Sequence, residues 1–344
     1  STGGTLALLK KHGIRALPIS EYTGFPEILE GRVKTLHPKI HGGILHRREK
    51  KSHVREAAKH GIPPIDMVVV NLYPFEQVTK AKKVSLERAL EEIDIGGPTL
   101  LRAAAKNFRS VAVVSEPADY KTVLDEMRRH RGGISEQTLY GLACKVFQLS
   151  SHYDAVIEGF LRSRNGGEAL PESFRWDFRK SMPLRYGENP HQRAALYARA
   201  DGDSLEFRCL HGKELSYNNL VDLESAWDVV QEFEEPAACV IKHNNPCGIA
   251  CSGTLAEAVA GAVDCDPLSS FGGIVGLNRS CDAKTAEAIL VKLTFLEVIV
   301  TPAFAPKALE LLRARKNLRL VEMRERRHET LNLRCMKAGL LVQD

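Results

Sequence analysis

Ile65-Asp66-Met67-Val68-Val69-Val70-Asn71 sets four apolar residues in a row between an aspartate and an asparagine. A strand with one solvated face alternates apolar and polar residues, whereas a consecutive run marks a strand covered on both faces, as in parallel sheets. Val111-Ala112-Val113-Val114-Ser115 repeats the pattern. Around these runs lie stretches of helical character: residues 5–13 closed by Gly13, a helix ending over 56–60 before Gly61, and residues 85–93, 99–106, 123–130 and 136–161. Residues 14–19 read as one more extended segment. Strands that alternate with helices predict an α/β layer fold with a mostly parallel sheet.

The next stretch, Ser163-Arg164-Asn165-Gly166-Gly167-Glu168-Ala169-Leu170-Pro171, is polar, glycine-rich and closed by proline, and it reads as a linker. Two domains are therefore expected, 1–165 and 166–344. In the second, residues 196–198 and 205–210 read as a hairpin, 222–233 as a helix and 238–242 as a buried strand. A helix over 255–263, a glycine-bearing strand over 271–277, a helix over 283–293 and a strand over 298–300 follow. Leu340-Leu341-Val342-Gln343-Asp344 opens another element.

Composition narrows the function. The chain has 344 residues, 44% of them hydrophobic and 26% charged, which is the balance of a folded soluble protein. No run approaches the roughly 20 apolar residues of a membrane-spanning helix. Lysines and arginines number 48 against 43 acidic residues, a net charge of +5, and 6% of residues are aromatic. That excess is too mild, and the aromatics too few, for a base-stacking nucleic-acid surface, and it suits anion-binding pockets better. Eight cysteines without a regular framework, in a chain this large, read as free thiols of a reducing cytoplasm. The chain opens on Ser-Thr-Gly-Gly-Thr, and we expect it to be the interior of a longer protein, entered at the end of a strand.

Several segments carry groups suited to chemistry. Thr2, Gly3, Gly4 and Thr5 precede a helix, where bare N–H groups and hydroxyls favour a phosphate; a plain capped turn looks the same, so both readings stand. Gly31-Arg32-Val33-Lys34-Thr35-Leu36-His37-Pro38-Lys39-Ile40-His41-Gly42-Gly43 places cations and a hydroxyl in a loop suited to an anionic ligand. His37 and His41 are four apart, but Pro38 between them argues against a regular helix and hence against a helical metal pair. Val70, Asn71 and Tyr73 end the buried strand, where ligands of open α/β sheets bind. Asp94-Ile95-Gly96-Gly97-Pro98-Thr99 reads as a tight turn into a helix whose first residue is the proline, with Lys106 at the far end. Asp94 as a simple cap and Lys106 as a last-turn cation are the alternatives.

In the second domain, Arg185-Tyr186-Gly187-Glu188-Asn189-Pro190-His191-Gln192 gathers polar residues after an extended entry. Ile241-Lys242-His243-Asn244-Asn245-Pro246-Cys247-Gly248 ends a buried strand in a Lys-His pair, and the lysine favours the neutral, basic imidazole. His243, Cys247 and Cys251 loosely suggest a zinc deaminase. Asn245 stands where that signature needs a glutamate, and the cysteines are one residue too far apart, so no metal is expected.

Taken in order, Thr-Gly-Gly-Thr, Gly-Arg-Val-Lys-Thr-Leu-His-Pro-Lys, Asn-Leu-Tyr-Pro-Phe, Asp-Ile-Gly-Gly-Pro-Thr-Leu-Leu-Arg-Ala-Ala-Ala-Lys-Asn, Arg-Tyr-Gly-Glu-Asn-Pro-His-Gln, Leu-Ser-Tyr-Asn-Asn-Leu, Lys-His-Asn-Asn-Pro-Cys-Gly and Asp-Pro-Leu-Ser-Ser-Phe-Gly-Gly-Ile form one set. The set resembles the bifunctional phosphoribosylaminoimidazolecarboxamide (AICAR) formyltransferase / IMP cyclohydrolase family of purine biosynthesis, over the whole chain. The resemblance implies a methylglyoxal-synthase-like parallel-sheet domain followed by a cytidine-deaminase-like α/β domain without its metal.

For the first domain the resemblance implies closure of the formylated ribotide, FAICAR, to IMP with loss of water. Thr2, Gly3, Gly4 and Thr5 would hold the phosphate, and Arg32, Val33, Lys34, Thr35, Val70, Asn71, Asp94 and Ile95 would line the nucleotide. Lys106 matches the family's active-site lysine, with Lys34, Tyr73 and Asp94 as relay and oxyanion groups. For the second domain it implies formyl transfer from 10-formyltetrahydrofolate to AICAR. His243 matches the proton acceptor, Lys242 would stabilise the oxyanion, and Arg185, Tyr186, Asn219, Gly272 and Glu297 would bind the ribotide.

The resemblance also implies a cytoplasmic homodimer acting on ribotides and reduced folate, with no nucleic-acid or membrane partner. Family members carry a strand and phosphate loop before Ser1 and a second deaminase-like half after Asp344. On the sequence, both sites are expected to be incomplete here. An inactive nucleotide-binding or dimerisation fragment is the alternative, and a zinc deaminase a more distant one.

Overall fold

The computed structural model describes residues 1–73, 75–79, 84–166, 170, 172–173, 175–199, 207–324 and 331–343. Two compact units divide the chain, Ser1–Pro171 and Glu172–Asp344.

The first unit runs α1 (Gly3–Lys11), α2 (Ile19–Thr23), α3 (Pro38–Leu45), α4 (Lys51–Lys59), β1 (Met67–Val69), α5 (Phe75–Thr79), α6 (Leu86–Glu91), α7 (Gly96–Lys106), β2 (Ala112–Val114), α8 (Tyr120–Arg129) and α9 (Glu136–Arg164). α1 ends as expected at Gly13, whose φ of 68° lets the N–H groups of Gly13 and Ile14 turn back to the carbonyls of Lys10 and Leu9. Residues 14–18 pair with no strand among the described residues, and α2 takes Ile19. β1 and β2 pair in parallel, with Val68 opposite Val113. The consecutive-valine reading holds fully for β2, which is buried throughout. In β1 it holds for Val68 only: among the described residues β1 has β2 as its single strand partner, and Val69 is half exposed. Ile40 and Ile44 of α3, Leu101 and Ala104 of α7, and Leu142 and Val146 of α9 close the core over these strands.

Two expectations about prolines change. Pro38 does not exclude a helix; it is the first residue of α3, with His37 as N-cap accepting the Lys39 N–H at Nδ1, 3.1 Å. A proline costs nothing there, because the first N–H groups of a helix have no intrahelical acceptor. Pro98 is the third residue of α7, not the first, because Gly96 and Gly97 are themselves helical. The linker also starts later than expected, since α9 runs on through Ser163 and Arg164; residues 167–169 and Pro171 lie outside the described residues.

The second unit runs β3 (Phe178–Leu184), β4 (Ala194–Arg199), β5 (Phe207–His211), α10 (Tyr217–Gln231), β6 (Ala237–Lys242), β7 (Asn245–Cys251), α11 (Leu255–Cys265), β8 (Ile274–Leu277), α12 (Ala283–Lys292), β9 (Val298–Thr301), α13 (Pro306–Leu312), β10 (Arg319–Met323), β11 (Asn332–Met336) and β12 (Gly339–Gln343). Six strands form one sheet in the order β5-β10-β9-β8-β6-β7. β8, β9 and β10 are mutually parallel, while β6, β7 and β5 run antiparallel to their neighbours, so this sheet is mixed.

Both of its faces are covered. Cys239, Ile241, Ile274, Val298 and Val300 pack on Leu223, Ala226 and Trp227 of α10. Ala238, Val240, Val275, Leu277 and Ile299 pack on α11, α12 and α13. The expected hairpin of 196–198 with 205–210 does not form. β4 pairs with β3, and β5 is an edge strand on β10, while residues 205 and 206 lie outside the described residues. The apolar end of the chain is the second strand of the β11–β12 hairpin.

Candidate active sites

In the first unit the carboxyl end of β1 and the amino end of α7 meet. The Asp94 carboxylate accepts the Gly97 N–H at 2.9 Å, and the Asp94 N–H donates to the Tyr153 hydroxyl at 2.8 Å. A methyl group on Gly97 would strike Asp94 and Leu72, and one on Gly96 would come within 2.8 Å of Thr35 Oγ1. Glycine is required here by close approach, and Thr35, Leu72, Asp94 and the start of α7 form one cluster. Beside it, the Asn71 carboxamide accepts the Tyr120 hydroxyl at 3.2 Å. The Lys34 ammonium and the Glu27 carboxylate each lie within 4 Å of where a Cβ on Gly31 would stand. Tyr73 and Ile95 are exposed, and Val70 N–H is bound to the Val114 carbonyl. Arg32 forms a surface ion pair with Glu91, and Val33 closes a short bridge to Ile28.

Thr2 is the N-cap of α1 without a side-chain cap bond, so the first N–H groups of α1, on Gly3, Gly4 and Thr5, face outward at an exposed helix start. An anion would be favoured there by the helix dipole.

Lys106 stands apart. It is the last residue of α7, and ten residues of helical rise carry it about 15 Å along the axis from Gly96. Its neighbour Asn107 is bound to the carbonyls of Ile44 and His46, at the opposite end of the helix from Asp94.

In the second unit the residues converge at one end of the sheet. β6 delivers Lys242 there, and β8, β9 and β10 begin there, because Ile241 pairs with Ile274, and Val298 with both Ile274 and Arg319. Lys242 Nζ donates to the Phe271 carbonyl at 3.0 Å, the Gly272 N–H to the Phe295 carbonyl at 3.0 Å, and the Glu297 N–H to the Gly273 carbonyl at 3.1 Å. His243 and Asn244 form the two-residue turn between β6 and β7, both left-handed with φ of 52° and 63°. That is the conformation of a tight hairpin turn. The His243 side chain is exposed at its tip.

Asn219 is buried and engaged in a reciprocal cap of α10, its side chain accepting the Ser216 N–H while the Ser216 hydroxyl accepts its own. Arg185 and Tyr186 join the same region through Arg185 N–H to Leu215 O, 3.3 Å, and Tyr217 N–H to Tyr186 O, 3.2 Å. The Arg185 guanidinium lies 5.0 Å from the centre of the Tyr186 ring.

Two residues were missed in the sequence. Arg319, 3% exposed, reaches the Glu297 carboxylate at 2.6 Å and the Glu214 carbonyl at 3.1 and 3.0 Å. Asp222 of α10 accepts the N–H groups of His243 and Asn244. Asp222 had one signal, an aspartate inside a helix, where that residue is a poor former. Arg319 had none, since one arginine looks like another until burial is known.

The zinc arrangement fails on geometry. Cys247 and Cys251 are both on β7, four residues and about 13 Å apart along an extended strand, too far for one metal ion. Burial pushes the Cys239 and Cys281 thiols up to about 12, so both are protonated.

These features define a two-unit α/β protein with polar clusters at strand and helix ends of each unit. Residues 1–99 match the family model "MGS-like domain", and residues 104–344 match "AICARFT/IMPCHase bienzyme". The chain belongs to the AICARFT/IMPCHase bienzyme family, whose members act in purine biosynthesis as formyltransferase and cyclohydrolase.

Among curated relatives, the "Bifunctional purine biosynthesis protein PurH" of Thermoanaerobacter sp. (strain X514) is 46% identical over 347 residues, covering all of this chain and 67% of that protein. The protein of the same name from Bacillus subtilis (strain 168) is 48% identical over 349 residues, with the same coverage. That of Clostridium botulinum (strain Kyoto / Type A2) is 49% identical over 345 residues, covering 68% of it. The chain thus spans about two thirds of the length of these relatives. Among solved structures, "Crystal structure of ForH" is 39% identical, covers 46% of this chain and 83% of that one, and has a TM-score of 0.41.

Proposed function

We propose that the two units carry the two activities separately: cyclisation of FAICAR to IMP in the first and formyl transfer from 10-formyltetrahydrofolate to AICAR in the second. The observation that carries this reading is the convergence of Arg185, Tyr186, Lys242, His243, Gly272 and Glu297 at one end of the mixed sheet, although they are spread over more than 110 positions of sequence.

The AICAR amine is weakly nucleophilic, so a base must take its proton as the formyl carbon is attacked. His243, exposed at the tip of its turn, is the acceptor, and it returns that proton to N10 of the folate as the bond between N10 and the formyl carbon breaks and tetrahydrofolate leaves. Lys242, next to it, offers an ammonium to the oxyanion of the tetrahedral intermediate, with Phe271 O holding it in place. Arg185, Tyr186, Asn219, Gly272 and Glu297 form the ribotide side of the site.

In the cyclisation, the carboxamide nitrogen attacks the formyl carbon, and water leaves after proton transfer to the hydroxyl. Lys34, Tyr73 and Asp94 stand on the ring side, with Thr35, Arg32, Val33, Val70, Asn71 and Ile95 lining the nucleotide and Thr2, Gly3, Gly4 and Thr5 receiving the phosphate. Lys106 acts on the same ring. The 15 Å between it and the Asp94 end of α7 favours a homodimer, in which Lys106 of one copy serves the site of the other.

No helix among the described residues is long and apolar enough to cross a membrane, and a cytoplasmic enzyme of small ribotides fits the free thiols. The testing experiment is paired: IMP formation from FAICAR, and formyl transfer to AICAR, in the chain extended to the full length of its relatives and in its Lys106→Ala and His243→Ala variants. Each substitution should abolish one activity and spare the other; loss of both activities from either substitution would refute the separation.

A further inference from the structure

We infer that Asp222 is the positioning residue of the transferase site, a carboxylate that holds His243 in the turn from which it works. The inference rests on the assignment of His243 as base under Proposed function. Asp222 Oδ1 accepts the Asn244 N–H at 2.7 Å and Oδ2 the His243 N–H at 3.2 Å, so the two oxygens of one side chain grip both residues of the turn. Both turn residues carry positive φ without being glycine. Histidine and asparagine enter the left-handed region more readily than most residues, but at a cost that the surroundings must cover. The surroundings here are three side chains: Asp222, Ser225, whose hydroxyl is bound to the Asn244 carboxamide, and Asn245, whose Nδ2 donates to the His243 carbonyl at 2.8 Å.

Asp222 and Ser225 sit three apart on α10, which is fastened to the sheet by the buried Leu223, Ala226 and Trp227. The helix therefore anchors the hairpin tip from the side, and Asp222 is the anchor that bears charge. A negative charge also strengthens N–H donation relative to a neutral acceptor. Without it, the two amides turn to water, the turn opens, and the imidazole no longer has one place to receive the amine proton.

The test uses Asp222→Ala, Asp222→Asn and the double variant Asp222→Ala with Asn244→Gly. Hydrogen exchange at the His243 and Asn244 amides reads the turn directly. Asp222→Ala should raise it by about tenfold or more, Asp222→Asn less, because the carboxamide oxygen keeps one acceptor. Glycine at 244 takes the left-handed conformation freely, so the double variant should return His243 exchange towards wild type.

In formyl transfer by the chain extended to the full length of its relatives, kcat should fall by up to about 100-fold in Asp222→Ala, with KM for AICAR changed less than about twofold, and the double variant should recover it in part. A general loss of structure would move KM and the melting temperature together and would not be rescued by a glycine in the turn. Unchanged exchange in Asp222→Ala overturns the inference whatever the kinetics. Raised exchange with unchanged kcat overturns the positioning role, and His243→Ala then tells whether His243 is still the base: lost transfer keeps that assignment and unchanged transfer removes it.

Discussion

Arg319 and Glu297 face each other across neighbouring strand starts at 2.6 Å, the guanidinium 4% exposed in its side chain and the carboxylate 35%. The same guanidinium holds the Glu214 carbonyl with two further bonds. One buried cation thus ties Glu297, on the approach to β9, to the segment that receives Arg185 and Tyr186. A cation at this depth is tolerable only because its donors are occupied.

Removing that cation leaves two acceptors stranded. Arg319→Met should destabilise the second unit by about 3 kcal/mol, the lower end of the range for broken buried pairs, because Glu297 keeps some access to water. Arg319→Lys should recover only part, since one ammonium cannot reproduce the fork that serves Glu297 and Glu214 together. Urea unfolding followed by fluorescence checks both; equal stability of Lys and Met variants would refute the fork argument.

The distance between Lys106 and the Asp94 end of α7 makes a second expectation specific. Lys34→Ala and Lys106→Ala should each lower IMP formation by about 100-fold or more. If the site is shared between two copies, mixing the two variants under conditions that exchange subunits should restore about a quarter of wild-type activity, because half the dimers are mixed and each has one intact site. Absence of recovery in verified mixed dimers would return Lys106 to a last-turn surface cation.

Glu126 on α8 accepts the Thr138 hydroxyl at 2.6 Å and the Ser135 N–H at 2.8 Å, at the capped start of α9. Those bonds, the Thr138 hydroxyl first, hold its carboxyl below the usual 4.5. A lowered value means the contribution is complete above the unfolded value and is lost as pH falls through the folded one. Glu126→Gln should therefore melt lower than wild type at pH 7, and the gap should narrow below pH 4.5. A gap that is constant with pH would show that the carboxylate charge plays no part.

The strand geometry of Cys247 and Cys251 makes a metal expectation testable. Purified protein dialysed against a weak chelator should hold far less than one zinc per chain by elemental analysis, and Cys247→Ser should not change the melting temperature on zinc addition. Stoichiometric zinc lost in Cys247→Ser would revive a deaminase-like metal site.

Much of the architecture was legible because it depends on local signals. Consecutive apolar residues at 67–70 and 111–114, glycines closing helices at 13 and 61, and the apolar run ending at Lys242 each declare themselves within a few residues. Strand pairing was not legible in the same way. β5 lies beside β10, more than 100 positions away, and nothing within 207–211 says so. Pro38 and Pro98 misled for a related reason: proline is a breaker or a starter according to which helical turn it occupies, and that turn is set by what caps it.

The sequence by itself determined the family, the residue types available for each reaction and the placement of His243 at a strand end, since motifs are strings and strings are complete in one dimension. It did not reveal that α10 reaches over to grip the His243 turn, that Arg319 is buried between Glu297 and Glu214, or that Lys106 and Asp94 stand at opposite ends of one helix. Those relationships depend on distance and burial, which arise only when helices cover both faces of a sheet. The cost of an unpaired charge or a left-handed histidine is then set by neighbours far away in the chain.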